Sequence, residues 1–133
     1  MSDEQRPYGG GGANDPALKR VRTRHFQRAK QQGIKITGLT SYDCLSAGIF
    51  DDAGIDFLLV GDSAGNTVFG YDTTIPVTVD ELIPLTRAVV RGGSRALGTA
   101  EMPVGSDGND PAVVCTTSAR IGSLPPVNLA VPF

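Results

Sequence analysis

Apolar residues recur along this chain at two periods, and the switches between them mark out its elements. Ile34 to Leu39 is β-branched and apolar, which predicts a first strand. Asp43 to Ala53 places Leu45, Ile49, Phe50 and Ala53 at helical intervals, with Asp43 set to cap the helix and Gly54 set to stop it. Phe57 to Val60 is a second apolar run, and a long polar loop rich in Gly and Thr is expected to carry the chain from Gly61 to Thr78. Thr78 and Glu81 have the spacing of a capping box. Leu82, Leu85, Val89 and Val90 then line one face of a helix that should end near Gly92, with a local bend expected at Pro84. Ala96 to Ala100 offers a third strand, closing at Glu101. Ahead of these units, a polar helix is predicted from about Val21 to Gln32, ended by Gly33.

Strand and helix in alternation imply parallel strands joined by right-handed crossovers, hence an α/β fold. Three such strands cannot cover both faces of a parallel sheet, so the pattern belongs to a larger sheet or barrel. Residues 1–17, with Gly9 to Gly12 in a row, lack the apolar surface to offset ordering entropy and are expected to be a flexible leader. Residues 105–133 carry four prolines, no Lys and no Glu, and show no helical period.

Composition narrows the function classes. The 133 residues carry a formal net charge of −2, so no polyanionic partner such as nucleic acid is implied. Lys19 to Lys35 holds seven basic residues and no acidic one, yet Phe26 is its single aromatic, so a solvated helix accounts for it better than a nucleic-acid or membrane patch. No apolar run is long enough for a secretory signal or a bilayer span, and a cytoplasmic location is the expectation. Cys44 and Cys115 lie far apart and match neither a zinc nor a redox spacing. His25, the only histidine, reads as a surface or packing residue rather than a base.

Candidate chemistry sits at the strand ends. Leu58-Leu59-Val60 stops abruptly at Gly61-Asp62-Ser63, and the third strand closes at Glu101. Parallel strands would present both carboxylates on one rim, where Asp62 and Glu101 could share a hard divalent cation that polarises a 2-oxo acid. An Asp after a strand is also a common turn or cap residue, and spacing alone does not separate the two readings.

Thr40-Ser41-Tyr42-Asp43, Leu59-Val60-Gly61-Asp62-Ser63, Gly70-Tyr71-Asp72-Thr73-Thr74 leading to Pro76-Val77-Thr78, and Ala100-Glu101-Met102-Pro103 occur in order across about Val21 to Gly105. Together they resemble the first part of the ketopantoate hydroxymethyltransferase family. The resemblance implies the first three βα units of a (β/α)8 TIM barrel over residues 18–104. It implies hydroxymethyl transfer from 5,10-methylenetetrahydrofolate to 3-methyl-2-oxobutanoate, giving 2-dehydropantoate in pantothenate biosynthesis, with Mg2+ and in a homo-oligomer. Asp62 would be a metal ligand that also contacts the keto acid, and Ser63 would bind its carboxylate. Glu101 falls where the family places a second acid, normally Asp, that holds metal and substrate. The extra methylene shifts its oxygens by about one C–C bond, where productive geometry tolerates about 0.5 Å. The Tyr42-Asp43 pair is expected to be structural, orienting the first loop. The family's later strand with a Lys and a metal-binding Glu, and the Glu that serves as its catalytic base, have no counterpart expected after Gly105. Residues 105–133 are therefore expected to be a tail outside the family pattern, as a shifted reading frame would produce, and the chain by itself to be inactive. Two other classes stay open: an interaction fragment that uses part of a barrel, and a metal-dependent lyase of phosphoenolpyruvate or isocitrate type, which would be marked by a reactive Cys in a later loop.

Overall fold

The computed structural model describes residues 20–106, 111–123 and 127–130, so the expected leader over 1–17 lies outside the described residues. Four strands form one parallel sheet in the order β1-β2-β3-β4: Gly38–Thr40, Phe57–Val60, Leu97–Glu101 and Val127–Ala130. The helices are α1 (Thr23–Gln31), α2 (Cys44–Asp52), α3 (Ala64–Thr67), α4 (Val79–Gly92) and α5 (Pro111–Gly122). The α/β class holds, with a parallel sheet that the sequence pattern already implied.

Local signals set most boundaries. The Asp43 carboxylate accepts the Ser46 amide at 2.8 Å and caps α2, and Gly54 leaves that helix at φ +87, a left-handed conformation open to glycine. At α4, Thr78 and Glu81 close the expected capping box: the Thr78 amide donates to Glu81 Oε2 at 2.8 Å and the Glu81 amide to Thr78 Oγ1 at 3.3 Å. Pro84 lies inside α4 without ending it. α1 starts differently, because the Arg22 amide donates to Nδ1 of His25 at 2.8 Å; the single histidine thus closes the first turn.

Period two along the strands divides the core. Leu58 and Val60 on β2 point into a cluster with Ala47 of α2, Leu82 and Val89 of α4, and Ala64 and Val77 from the stretch between β2 and α4. Full burial of a leucine such as Leu58 contributes about 1.5–3 kcal/mol. Phe57 and Leu97 belong to a second cluster with Val21 and Phe26, in which the Phe26 and Phe57 rings meet edge to face with centroids 5.9 Å apart. Thus α2 and α4 cover one face, and the residues flanking and within α1 cover the amino-terminal end of the other. A third cluster joins Ala100 and Met102 to Ile121 of α5.

A polar lock binds the amino-terminal edge. Asp51, on α2 and 8% exposed, accepts the amides of Ser94, Arg95 and Ala96 and the Ser94 hydroxyl. Asp56, 1% exposed, accepts the Thr37 amide at 2.9 Å and pairs with the Arg95 guanidinium at 3.2 Å.

Four expectations need correction. The first strand is only Gly38–Thr40 rather than Ile34–Leu39, because the Thr37 carbonyl receives both the Asp56 and Phe57 amides and regular pairing starts after it. Leu45 and Ile49 are exposed at 76% and 58%, and α2 buries Ala47 and Asp51 instead. The stretch Gly61 to Thr78 is more than loop, since it holds α3 and sends Ala64 and Val77 into the core. Finally, the stretch with no helical period contains α5, started by Pro111 at its first position, and a fourth parallel strand. Val114, Thr117 and Ile121 form the inner side of α5, and Thr117 donates from Oγ1 to the Ser106 carbonyl at 3.3 Å, so a polar residue occupies the stripe where period was sought.

Candidate functional site

Parallel pairing brings the carboxyl ends of β1, β2 and β3 to one rim. The register Val60↔Ala100, continued by one residue, sets Gly61 level with Glu101. Glu101 folds its side chain across Gly61, and its Oε2 accepts the Asp62 amide at 3.2 Å. Gly61 is what permits this: a Cβ there would lie 2.5 Å from that same oxygen. Asp62, Ser63 and Glu101, the three residues singled out in the sequence, therefore stand together, each half-buried.

Tyr42, expected to orient the first loop, has a further contact. The Tyr42 hydroxyl, carried in from the end of β1, lies 2.5 Å from Ser63 Oγ. Tyr42 thus fixes the serine hydroxyl as well as the loop, across 21 residues of sequence. Its place after an apolar strand and in the Thr40-Ser41-Tyr42-Asp43 motif marks a residue that orients the loop, without naming Ser63 as its partner. Ser63 also starts the one-turn helix α3, whose Ala64 and Gly65 are buried and hold the Asp62-Ser63 corner against the core.

The Gly70-Tyr71-Asp72 loop is tied to the same structure. The Asn66 side-chain amide donates to the Tyr71 carbonyl at 2.8 Å, and the Tyr71 amide donates to the Gly65 carbonyl at 2.8 Å. The Tyr71 hydroxyl donates to Glu81 Oε1. That bond lowers the Glu81 pKa and raises the Tyr71 pKa, because it is lost when the carboxylate is protonated or the phenol ionised. Asp43 is held below the usual carboxylate range chiefly by the Ser46 hydroxyl and then by its amide, which suits a cap rather than an acid catalyst.

Chemically the rim offers carboxylate and hydroxyl oxygens. Among the described residues no group of three or more His, Cys, Asp or Glu side chains converges, so protein ligation of a cation here would come from the Asp62 and Glu101 pair. That pair suits Mg2+, which takes one or two carboxylates and fills its octahedron with water and substrate. One amide bond leaves most lone-pair positions of the Glu101 carboxylate open. Among the described residues no helix is long and apolar enough to cross a membrane.

A parallel α/β sheet with acids and a serine hydroxyl on its carboxyl rim defines the class: an α/β protein of the kind that gathers polar side chains at the ends of adjacent strands. Comparison with known proteins takes this further. The family model for ketopantoate hydroxymethyltransferase matches residues 20–124, and the chain belongs to that family. The match runs beyond Gly105 and through α5, so the family likeness extends further than the break expected there. The chain is 65% identical over 105 residues to the 3-methyl-2-oxobutanoate hydroxymethyltransferase of Leifsonia xyli subsp. xyli (strain CTCB07), an alignment covering 79% of this chain and 38% of that protein. It is 54% identical over 114 residues to the protein of that name from Saccharopolyspora erythraea, covering 86% of this chain and 38% of the relative. To the Rhodococcus jostii (strain RHA1) protein of the same name it is 47% identical over 119 residues, covering 90% and 41%. The chain thus spans about two fifths of the length of the curated relatives it matches.

Proposed function

We propose that this chain carries the keto-acid and metal-binding corner of a hydroxymethyltransferase that moves a one-carbon unit from 5,10-methylenetetrahydrofolate to 3-methyl-2-oxobutanoate, giving 2-dehydropantoate. The observation that carries the reading is the meeting of Asp62, Ser63 and Glu101 on one rim, with the Asp62 amide bonded to the Glu101 carboxylate. The names of the relatives supply the substrate. A barrel continuing from this sheet, a cytoplasmic setting and the folate co-substrate belong to the same proposal.

In this reading Ser63, oriented by Tyr42, donates its hydroxyl proton in a hydrogen bond to the keto-acid carboxylate. Asp62 and Glu101 hold Mg2+ through carboxylate oxygens. The bound ion supplies Lewis-acid polarisation of the keto carbonyl, which favours loss of the neighbouring proton. Glu101 is kept in place by the Asp62 amide, so its longer side chain is spent in spanning Gly61. No residue of the rim is assigned as the proton acceptor, a role worth about 10²–10⁴ in rate. Binding without turnover is the expected behaviour of the isolated 133-residue chain.

Equilibrium titration tests this. With Mg2+ present, 3-methyl-2-oxobutanoate should bind the chain, and Asp62→Asn and Ser63→Ala should each weaken binding about tenfold or more. Equal affinity for wild type and both variants would remove these residues from the site.

A further inference from the structure

We propose that Tyr71 and Glu81 are positioning residues for the Asp62-Ser63 corner, which they brace from behind through the one-turn helix α3. The corner needs outside support. β2 ends at Val60, and α3 spans only Ala64–Thr67, too short to hold its own shape, because a single turn forms few bonds for the backbone order it demands. Tyr42 fixes the Ser63 hydroxyl and Glu101 the Asp62 amide. The Asp62 and Ser63 carbonyls lead instead to Tyr71.

Two parallel paths make that connection. The Asp62 carbonyl accepts the Gly65 amide at 2.8 Å, and the Gly65 carbonyl accepts the Tyr71 amide at 2.8 Å. The Ser63 carbonyl accepts the Asn66 amide at 3.2 Å, and the Asn66 side-chain amide donates to the Tyr71 carbonyl at 2.8 Å. The amide and carbonyl of one residue thus brace two neighbouring residues of the corner. The seat is close: a Cβ on Gly65 would lie 2.6 Å from Val77 Cγ2 and 3.4 Å from the Thr73 carbonyl oxygen, so the segment after Tyr71 rests directly on α3. Val77 is itself buried in the core and cannot swing aside.

The far end of Tyr71 is anchored in a rigid element. Its hydroxyl donates to Glu81 Oε1, while Glu81 Oε2 accepts the Thr78 amide and hydroxyl. Glu81 is therefore gripped by the cap of α4, a 14-residue helix that buries Leu82, Thr86 and Val89. The Tyr71 ring packs beside Phe69, with centroids 5.7 Å apart, and against the main core cluster. Loss of the phenol hydroxyl frees this end while the ring keeps its packing, and the corner loses its tie to α4. What the corner binds rests on the function proposed above; the bracing stands on the hydrogen bonds themselves.

Calorimetric titration with 3-methyl-2-oxobutanoate and Mg2+, paired with amide hydrogen exchange on the ligand-free chain, tests it. Tyr71→Phe should weaken keto-acid binding about tenfold, the low end for groups that orient a binding side chain, and should speed exchange of the Gly65 and Asn66 amides relative to those of β3. Glu81→Gln keeps polar atoms within reach of the Tyr71 hydroxyl and the Thr78 amide and suits the capping box, so it should bind with near wild-type affinity. A general loss of stability would neither single out those two amides nor be rescued by glutamine. Arg120→Ala, which removes another tie to the start of α4, the ion pair with Asp80, should leave affinity unchanged. Wild-type affinity in Tyr71→Phe, unaltered exchange at Gly65 and Asn66, or equal weakening in all three variants would overturn the proposal. A wild-type chain that binds no keto acid would sink the proposed function instead, and exchange in the ligand-free chain would still decide the bracing. If Tyr71→Phe does not fold, Asn66→Ala, at an exposed side chain that supplies one of the two paths, takes its place, and unchanged affinity and exchange there would count against the proposal.

Discussion

Removing the Asp51 carboxylate should be among the most damaging single changes in this chain. Asp51 accepts the Ala96 amide at 2.6 Å, the Ser94 amide at 2.8 Å, the Arg95 amide at 3.1 Å and the Ser94 hydroxyl at 3.0 Å. Hydrogen bonds to a charged acceptor contribute about 1.5–3 kcal/mol each, and donors left buried and unsatisfied cost a similar amount. With three amides orphaned and water able to reach some of them, Asp51→Ala should cost about 3–5 kcal/mol, and Asp51→Asn about half of that. Against a typical margin of about 5–15 kcal/mol, the alanine variant is close to unfolding. Burial raises the Asp51 pKa, but the amides of Ala96, Ser94 and Arg95 and the Ser94 hydroxyl outweigh it, and the folded-state value lies below the ordinary one. The stabilisation is therefore full above the unfolded pKa of about 4 and is lost as pH falls through the lower folded value. Urea unfolding followed by circular dichroism should show a wild-type to Asp51→Asn difference that is constant near neutrality and shrinks below about pH 4. A cost under about 1 kcal/mol for Asp51→Ala at neutral pH, or a difference that grows on acidification, would refute the reasoning.

Other consequences are open to measurement. His25 is held below its ordinary pKa first by burial and then by Arg24, Arg22 and Arg28, and its neutral Nδ1 accepts the Arg22 amide. Its contribution should be present above about pH 6.5 and fade as pH falls, so the stability difference between wild type and His25→Ala should narrow on acidification. Gly61→Ala should displace Glu101 and weaken Mg2+-dependent keto-acid binding about tenfold while costing about 1 kcal/mol or less in urea unfolding, since the displaced group is the end of a flexible side chain. The purified chain supplied with keto acid, 5,10-methylenetetrahydrofolate and Mg2+ should form no detectable 2-dehydropantoate in a product assay.

Much of this architecture could be read from the residues, and the failures share a cause. Phe57–Val60 and the α4 start at Thr78 and Glu81 are local signals, an apolar run between turns and a reciprocal cap, and both stood as expected. The α2 face that packs inward carries Ala47 and Asp51, and the partners that hold Asp51 there lie 43 to 45 residues away, beyond the reach of a local apolar pattern. α5 was hidden by its own chemistry: Thr117 stands in the inner stripe and bonds to the Ser106 carbonyl, which no periodicity of apolar residues reveals. At the rim, strand ends located Asp62, Ser63 and Glu101, since parallel topology alone dictates where such residues gather. The Tyr42 to Ser63 bond and the path of Glu101 across Gly61 depend on side-chain reach between strands and became visible only in three dimensions.

The central claim is that Asp62, Ser63 and Glu101 together form a keto-acid and metal site. It is tested most directly by following the backbone amide resonances of the chain while 3-methyl-2-oxobutanoate is added with and without Mg2+. The account predicts saturable shifts centred on Asp62, Ser63 and Glu101, larger with Mg2+ and abolished in Asp62→Asn. Shifts located elsewhere, or none at these three residues, would contradict it.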